Sequence, residues 1–221
     1  MTPRPGRAGR RPQRAHWWRR GAVASEFVLI VPLFVLILFA TVDIVRVFRA
    51  QMRVEMVAVQ IGQIVSQCPR ITQQDFSDTS FGFWAHAGRI AGGLVDVNSV
   101  TGGAMIVSTL GRDNDRNRLY WQQRTGNPTP QSVLGIAPAA SVTLSGRNGD
   151  PFIVPVGQTL FVTEVFGIVP PGRFTAGLIG NFLPNELRGL TMFLSRASEP
   201  ARLQLAPITP TPPATARDCT L

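Results

Sequence analysis

The sequence is poor in the residues on which most enzyme sites depend. Its 221 residues include two histidines and two cysteines, and its basic residues are all arginines, without a single lysine. A Ser-His hydrolase would rest on His86 alone, since His16 lies in a basic segment, and no nucleophile-elbow sequence accompanies it. No Cys/His cluster has metal-ligand spacing, and no phosphate-binding glycine loop is present. We therefore expect no enzyme, no metal, no cofactor and no small-molecule substrate.

Two other candidate sites are weak. The run Asp113–Asn117 resembles the start of a calcium loop, but Arg118 occupies the glycine position and Arg124 the position of the bidentate glutamate. A solvated turn is the better interpretation. The aromatic residues Trp84, Tyr120 and Trp121 could form an adhesive patch, but core packing is the favoured alternative.

The longest apolar run is close to the N-terminus. From Ala22 to Val42 there are 21 residues, and the only polar ones are Ser25, Glu26 and Thr41. A helix of this length spans about 31 Å, the thickness of a bilayer core. Secretory cleavage near Ala40 is disfavoured because Leu38 stands where a small residue is needed. We predict a retained membrane helix.

Charge is concentrated before this helix. The formal net charge is +9, but residues 1–20 hold seven arginines and no acid, and the rest of the chain has 15 arginines against 13 acids. An arginine-rich segment next to a membrane helix sets orientation and contacts anionic lipid. Trp17 and Trp18 are typical of the interface. We expect a cytoplasmic N-terminus, an outer C-terminal domain and no nucleic-acid partner.

The helix is predicted to continue to Gln67, because the next proline is Pro69. Its outer part carries two apolar stripes on opposite sides. The first stripe consists of Val45, Phe48, Met52, Met56 and Val59. The second stripe consists of Val47, Val54, Val57, Ile61 and Ile64. One stripe can cover the chain's own domain and the other a helix of another subunit; the alternative is that both are buried within this chain.

The remaining sequence predicts an antiparallel sheet. A short helix is predicted around Phe81–Arg89, and alternating apolar residues separated by turns indicate a succession of strands. The strands are predicted at Leu94–Val100, Ala104–Leu110, Arg118–Thr125, Ala140–Leu144, Phe152–Val156, Thr159–Val169 and Leu190–Leu194. Strands without interleaved helices favour an α+β fold with the long helix packed on one face of the sheet.

Three polar or thiol-bearing residues are expected to have structural roles. Glu164 shares a strand face with apolar residues, so we expect it to meet an arginine or backbone donors in a structural ion pair. Cys68 and Cys219 both lie on the outer side and are expected to form a disulfide, with two free thiols as the alternative.

Glu26 has two interpretations. An ionisable group inside a membrane span indicates function, yet Glu26 is close enough to the helix start for its side chain to reach headgroups or water. The arrangement of Gly21, four residues, then Glu26-Phe27 at the start of an apolar helix resembles the cleavage site of type IV prepilins. The longer segment, with Pro32, Asp43 and Arg46, resembles the TadE/TadG-like family of tight-adherence (Tad) pilus proteins.

The resemblance implies a pseudopilin-like component of pilus assembly and surface adhesion, with a pilin-like fold. Cleavage by a prepilin peptidase between Gly21 and Ala22 would follow, and Glu26 and Phe27 would act in assembly. Implied partners are other pilins or pseudopilins and inner-membrane Tad platform proteins. Alternatives are an uncleaved single-pass scaffold and, more remotely, an anchored periplasmic hydrolase or sensor. The expected organisation is a leader (1–21), a transmembrane helix (22–43), its outer extension (44–68), an α+β domain (69–206) and a Pro/Thr-rich tail (207–221).

Overall fold

The structure is a computed structural model of the chain. It describes residues 16–93, 95–146, 149–169 and 184–205 together with residues 207 and 219, with side chains from Glu26 onward. The expected α+β architecture is confirmed: one long N-terminal helix packs on an antiparallel sheet.

Helix α1 runs from His16 to Gln67 and contains 52 residues. It begins six residues before the predicted start near Ala22, because nothing in the sequence between His16 and Gly21 interrupts a helix. It ends at Gln67, two residues before Pro69, as predicted from the restriction that a proline places on a helix and on the residue before it. Two short helices follow, α2 (Gln73–Ser77) and α3 (Phe83–Ala91), of which α3 was predicted and α2 was missed.

Seven strands complete the described chain. They are β1 (Ala104–Asp113), β2 (Arg116–Gly126), β3 (Ala139–Val142), β4 (Leu144–Ser145), β5 (Pro151–Phe152), β6 (Thr159–Ile168) and β7 (Glu186–Leu194), and a 3-10 turn (Pro200–Gln204) follows. Five form an antiparallel sheet in the order β3-β2-β1-β6-β7, while β4 and β5 form a separate pair.

Two predicted strands are wrong. The described residues of Leu94–Val100 form bends and a turn, in which the Asp96 carboxylate accepts hydrogen bonds from the backbone N–H groups of Asn98 and Ser99. This side-chain capping replaces a strand ladder. In the segment Phe152–Val156, only Phe152 is in a strand. Val154 belongs to a loop that covers the sheet, and its side chain is buried in the back cluster, the apolar cluster on the face of the sheet away from α1.

Each face of the sheet carries a buried cluster. The front face packs against α1, with Phe161 and Val165 of β6 contacting the same buried cluster as Val54 and Ile61. The back face, with Leu110 and Val162, is covered by the connections between β2 and β6. Alternate residues of a strand point to opposite faces, which is why one strand can serve two buried layers.

Glycines allow α1 to lie close to the sheet. A Cβ at Gly189 of β7 would lie 3.0 Å from the Val54 carbonyl oxygen, and one at Gly62 would lie 2.8 Å from the Phe193 ring. The hydroxyl of Thr191 donates to the Ala58 carbonyl at 2.9 Å. The outer half of α1 is therefore fixed along β7, and its orientation decides which helix face remains open.

Candidate functional site

The N-terminal half of α1 has its apolar surface uncovered. The large apolar side chains from Phe27 to Val42, apart from Leu36, are 40–75% exposed. The most apolar 18-residue window has a mean hydropathy of 2.8 and is 11% buried, and in the part of the chain that the structure describes this is the one helix able to cross a membrane. An uncovered apolar surface of this size marks a membrane or partner contact.

The residues of the expected cleavage and assembly motif lie on one continuous helix. Gly21 and Ala22 are inside α1, and their side-chain surroundings lie outside the description. Glu26 and Phe27 are both exposed on the helix surface. Among the described residues Glu26 has no ion-pair partner, so its carboxylate is accessible to a group from outside the chain.

The other residues of the membrane-proximal motif have different surroundings. Pro32 is inside α1 and exposed; it removes one intrahelical hydrogen bond without ending the helix. Asp43 is 2% exposed, although its neighbours Val42 and Ile44 are exposed. Arg46 is half-buried and lies about one helical turn beyond Asp43.

The two apolar stripes of the outer helix have opposite fates. In the second stripe, Val54, Val57 and Ile61 are fully buried against the sheet, and Val47 and Ile64 pack at its border. Every residue of the first stripe is exposed, from 36% at Val59 to 67% at Phe48. The alternative that both stripes are buried within this chain is therefore wrong, and the prediction of one inward and one open stripe is confirmed.

Polar rows separate the two stripes. On one side Arg46, Arg49 and Arg53 follow each other at helical spacing, and Arg53 Nη1 donates to the Ile90 carbonyl at 3.4 Å. On the other side the Gln51 amide donates to Glu55 at 2.7 Å and to the Arg188 carbonyl at 3.1 Å. These rows attach the helix to α3 and to β7, which leaves the first stripe facing away from the domain.

Glu164 has no exposed surface and lies on the back face of β6. One carboxylate oxygen accepts from Arg188 Nη2 at 2.5 Å and from the Val133 backbone N–H at 3.1 Å. The other oxygen accepts from the Ser132 hydroxyl. The guanidinium of Arg188 also lies 5.3 Å from the centre of the Phe166 ring. Arg188 was not predicted from the sequence, although its spacing of two residues from Leu190 is that of side chains on the same face of a strand.

The structure joins Cys68, one residue after α1, to Cys219 near the C-terminus. Their Cα atoms are 5.2 Å apart, and 151 positions separate them in the sequence. The bond places Cys219 beside the C-terminal end of α1.

The remaining candidates have structural surroundings. Trp121 is 6% exposed and packs edge-on against Phe76 and Phe161, and Trp84 and Tyr120 border the same core, so core packing is confirmed. The turn from Asp113 joins β1 to β2 and is held by ion pairs of Asp113 and Asp115 with arginines. Among the described residues no three His, Cys, Asp or Glu side chains are grouped as a metal site.

Comparisons with known proteins find a similarity in one part of the chain. No curated protein and no solved structure matches the chain. A family described as TadE-like protein matches residues 21–62, which cover the apolar segment and most of its outer extension but none of the sheet. Residues 21–62 are therefore similar to the TadE-like family, as the resemblance predicted, and this similarity, together with the one membrane-spanning helix of the described residues, indicates a membrane protein with a role in Tad pilus assembly.

Proposed function

We propose that this chain is a pseudopilin-like subunit that joins other pilin-type proteins through the open face of α1. The observation that carries the proposal is the continuity of exposed apolar surface along this helix. It begins in the membrane segment at Phe27 and continues on the first stripe to Val59. A simple membrane anchor requires only the first part of this surface, whereas lateral packing between subunits requires both parts.

The proposed orientation follows from the arginine-rich N-terminus. The leader (1–21) lies in the cytoplasm, residues 22–43 cross the bacterial inner membrane, and the outer extension (44–68), the domain (69–206) and the tail (207–221) lie in the periplasm. The disulfide between Cys68 and Cys219 supports an oxidising compartment for that side.

Removal of the leader by a prepilin peptidase would create a new amino terminus at Ala22. The ammonium of one subunit could then pair with Glu26 of its neighbour, at low dielectric, and set the axial register of assembly. The exposed position of Glu26 supports this role, because no described group of its own chain occupies the carboxylate.

Amino-terminal sequencing of the protein purified from its host tests the processing step. A chain beginning at Ala22 is expected. Recovery of a chain that retains residues 1–21 in cells with an active peptidase would favour the uncleaved scaffold, which would remain with the cells when fibres are sheared off.

Paired variants of α1 test the assembly role. Met52→Glu places a charge in the first stripe, and Gln60→Glu adds the same charge at an exposed position outside it. Glu26→Gln removes the proposed pairing charge, and Glu55→Gln is its control outside the membrane. Met52→Glu and Glu26→Gln are expected to insert normally but to be lost from sheared fibres, whereas equal incorporation of all four variants would contradict the proposal.

A further inference from the structure

Strand β7 is at the edge of the five-stranded sheet, and one side of its backbone faces away from β6. The Ser195 N–H donates to the Thr159 carbonyl at 2.8 Å, and the Val169 N–H donates to the Asn185 carbonyl at 3.1 Å. Because hydrogen-bonded positions alternate along an antiparallel pair, the odd-numbered residues of β7 bond to β6. Its even-numbered residues direct their N–H and C=O groups outward.

Helix α1 uses the outward groups only at the two ends of this edge. Gln51 donates to the Arg188 carbonyl at 3.1 Å, and the Arg196 N–H donates to the Ser66 carbonyl at 2.7 Å. Between them, no hydrogen-bond partner for the outward groups occurs within the described part of the chain. These open groups belong to Leu190, Met192 and Leu194.

The same three residues form an apolar row on the back face. Met192 lies opposite Val162, and Leu194 lies opposite Leu160, both of which are in the back cluster. The three side chains of the row are 39–43% exposed. The row therefore continues the apolar surface of the back cluster to the open edge of the sheet.

Between its two contacts with α1, the edge lacks the residues that usually prevent strand pairing. Charged residues, proline or short length normally block an exposed edge. The run 189–195 contains no charged residue and no proline. The opposite edge strand, β3, has four residues and directly follows Pro138. Of the two edge strands of the five-stranded sheet in the described residues, β7 is the longer, with nine residues against four.

We propose that β7 binds an extended segment of a partner protein as an added strand. The open window fits about five residues, with backbone hydrogen bonds to Leu190, Met192 and Leu194 and apolar side chains at every second position. An acidic residue at the end next to Arg196 would complement its exposed guanidinium. The site is separate from the first stripe of α1 and does not depend on how that stripe is used.

The β7 strand of a second copy does not fit this edge. The outer half of α1 runs in the same direction as β7, because Gln51 contacts Arg188 and Ser66 contacts Arg196. Antiparallel pairing of two β7 strands would direct the two membrane segments to opposite sides. Parallel pairing about a twofold axis would place each outward-facing residue opposite the same residue of the other copy. In a parallel ladder, however, an outward-facing residue bonds to the two residues that flank its opposite number, so the two strands would have to be offset by one residue. Pairing of β7 with the β7 of a second copy is therefore excluded, and the proposal assigns the added strand to a different protein.

Hydrogen exchange of the full chain in lipid nanodiscs tests the proposal, with the synthetic peptide Thr-Val-Thr-Val-Thr-Val-Glu as the probe. The amides of residues 190, 192 and 194 are expected to exchange rapidly in the protein alone and slowly with the peptide. A peptide of the same composition with its valines consecutive is the control and should give no protection. Slow exchange of these amides in the protein alone, or protection that rises with protein concentration, would overturn the proposal.

Two substitutions separate the backbone from the side-chain contribution. Met192→Pro removes an outward donor without removing a bond to β6, and Met192→Lys places a charge in the apolar row. Each is expected to weaken peptide binding about tenfold, a loss comparable to one hydrogen bond or one apolar contact. Met192→Leu should bind as the natural chain does. Unchanged binding by the folded Met192→Lys protein would contradict the assignment whether or not Met192→Pro folds.

Discussion

The buried pair of Glu164 and Arg188 allows a prediction in which the two partners are not equivalent. Glu164 is fully buried, whereas the Arg188 side chain keeps 36% of its surface exposed. Arg188→Met retains an aliphatic chain over Phe166 but removes the charge. The carboxylate then keeps only Ser132 and the Val133 N–H as partners. Leaving a buried charge uncompensated costs about 3–5 kcal/mol of unfolding free energy.

Removing the other partner should cost less. In Glu164→Gln the side chain keeps an oxygen that can accept from Ser132 and Val133, and the exposed part of Arg188 can be hydrated. We expect a loss of about 1–3 kcal/mol, the cost of weakening a buried hydrogen-bond network. The double variant should lose less unfolding free energy than the sum of the two single losses. With Gln at position 164, Arg188→Met no longer leaves a buried carboxylate without its ion-pair partner.

Urea denaturation of the full chain in detergent, followed by tryptophan fluorescence, measures these differences. Trp121 is in the core between α2 and β6, so its emission reports the unfolding of the sheet domain. A matched control is Arg118→Met, which removes an exposed ion pair to Asp113 and should change stability by less than about 1 kcal/mol. A loss of stability in Arg188→Met no larger than that in Glu164→Gln, or a double variant whose loss equals the sum of the two, would contradict the unequal roles of the two partners.

Three further predictions concern the packing of the domain. Gly189→Ala places a methyl group 3.0 Å from the Val54 carbonyl oxygen and should cost about 1–3 kcal/mol in the same denaturation assay. Leu190→Ala, at the exposed edge of the back face, should be nearly neutral. Ile61→Ala in the buried stripe should cost about 2–5 kcal/mol and Met52→Ala in the open stripe less than about 0.5 kcal/mol, and equal losses would show that the helix face is misassigned. Replacing Cys68 and Cys219 by serine should lower stability by about 2–5 kcal/mol and remove the shift in gel mobility on reduction; no such shift in the natural protein would refute the bond.

Much of the helix was predictable because its signals are local. The apolar run to Val42 exceeds what a soluble core helix needs, and Pro69 limits how far the helix can extend. The helical periodicity of the apolar residues from Val45 to Ile64 predicted two apolar faces separated by polar rows. The family resemblance rested on the same residues, and the match to residues 21–62 covers this part of the chain alone.

The strands were less predictable because alternation does not distinguish a strand from a loop that buries alternate residues. Leu94–Val100 has the pattern of a strand, yet the Asp96 carboxylate caps the backbone locally. In the other misassigned segment, Val154 is buried as part of a covering loop, and Asn117 supplies the acceptor for its N–H. The hydrogen bond between Asn117 and Val154 joins residues that are 37 positions apart, and a contact over that distance produces no periodic pattern in the sequence.

The amino-acid order alone determined that this chain has an apolar rod near its N-terminus, an outer extension with two faces and a sheet-forming remainder. These properties depend on composition and spacing within a few helical turns or strand residues. The tertiary structure decided which stripe of α1 is covered, that Arg188 is the partner of Glu164, and that β7 is the open edge. Each of these depends on which distant segments pack together. The same order of helices and strands along a chain is compatible with more than one such arrangement.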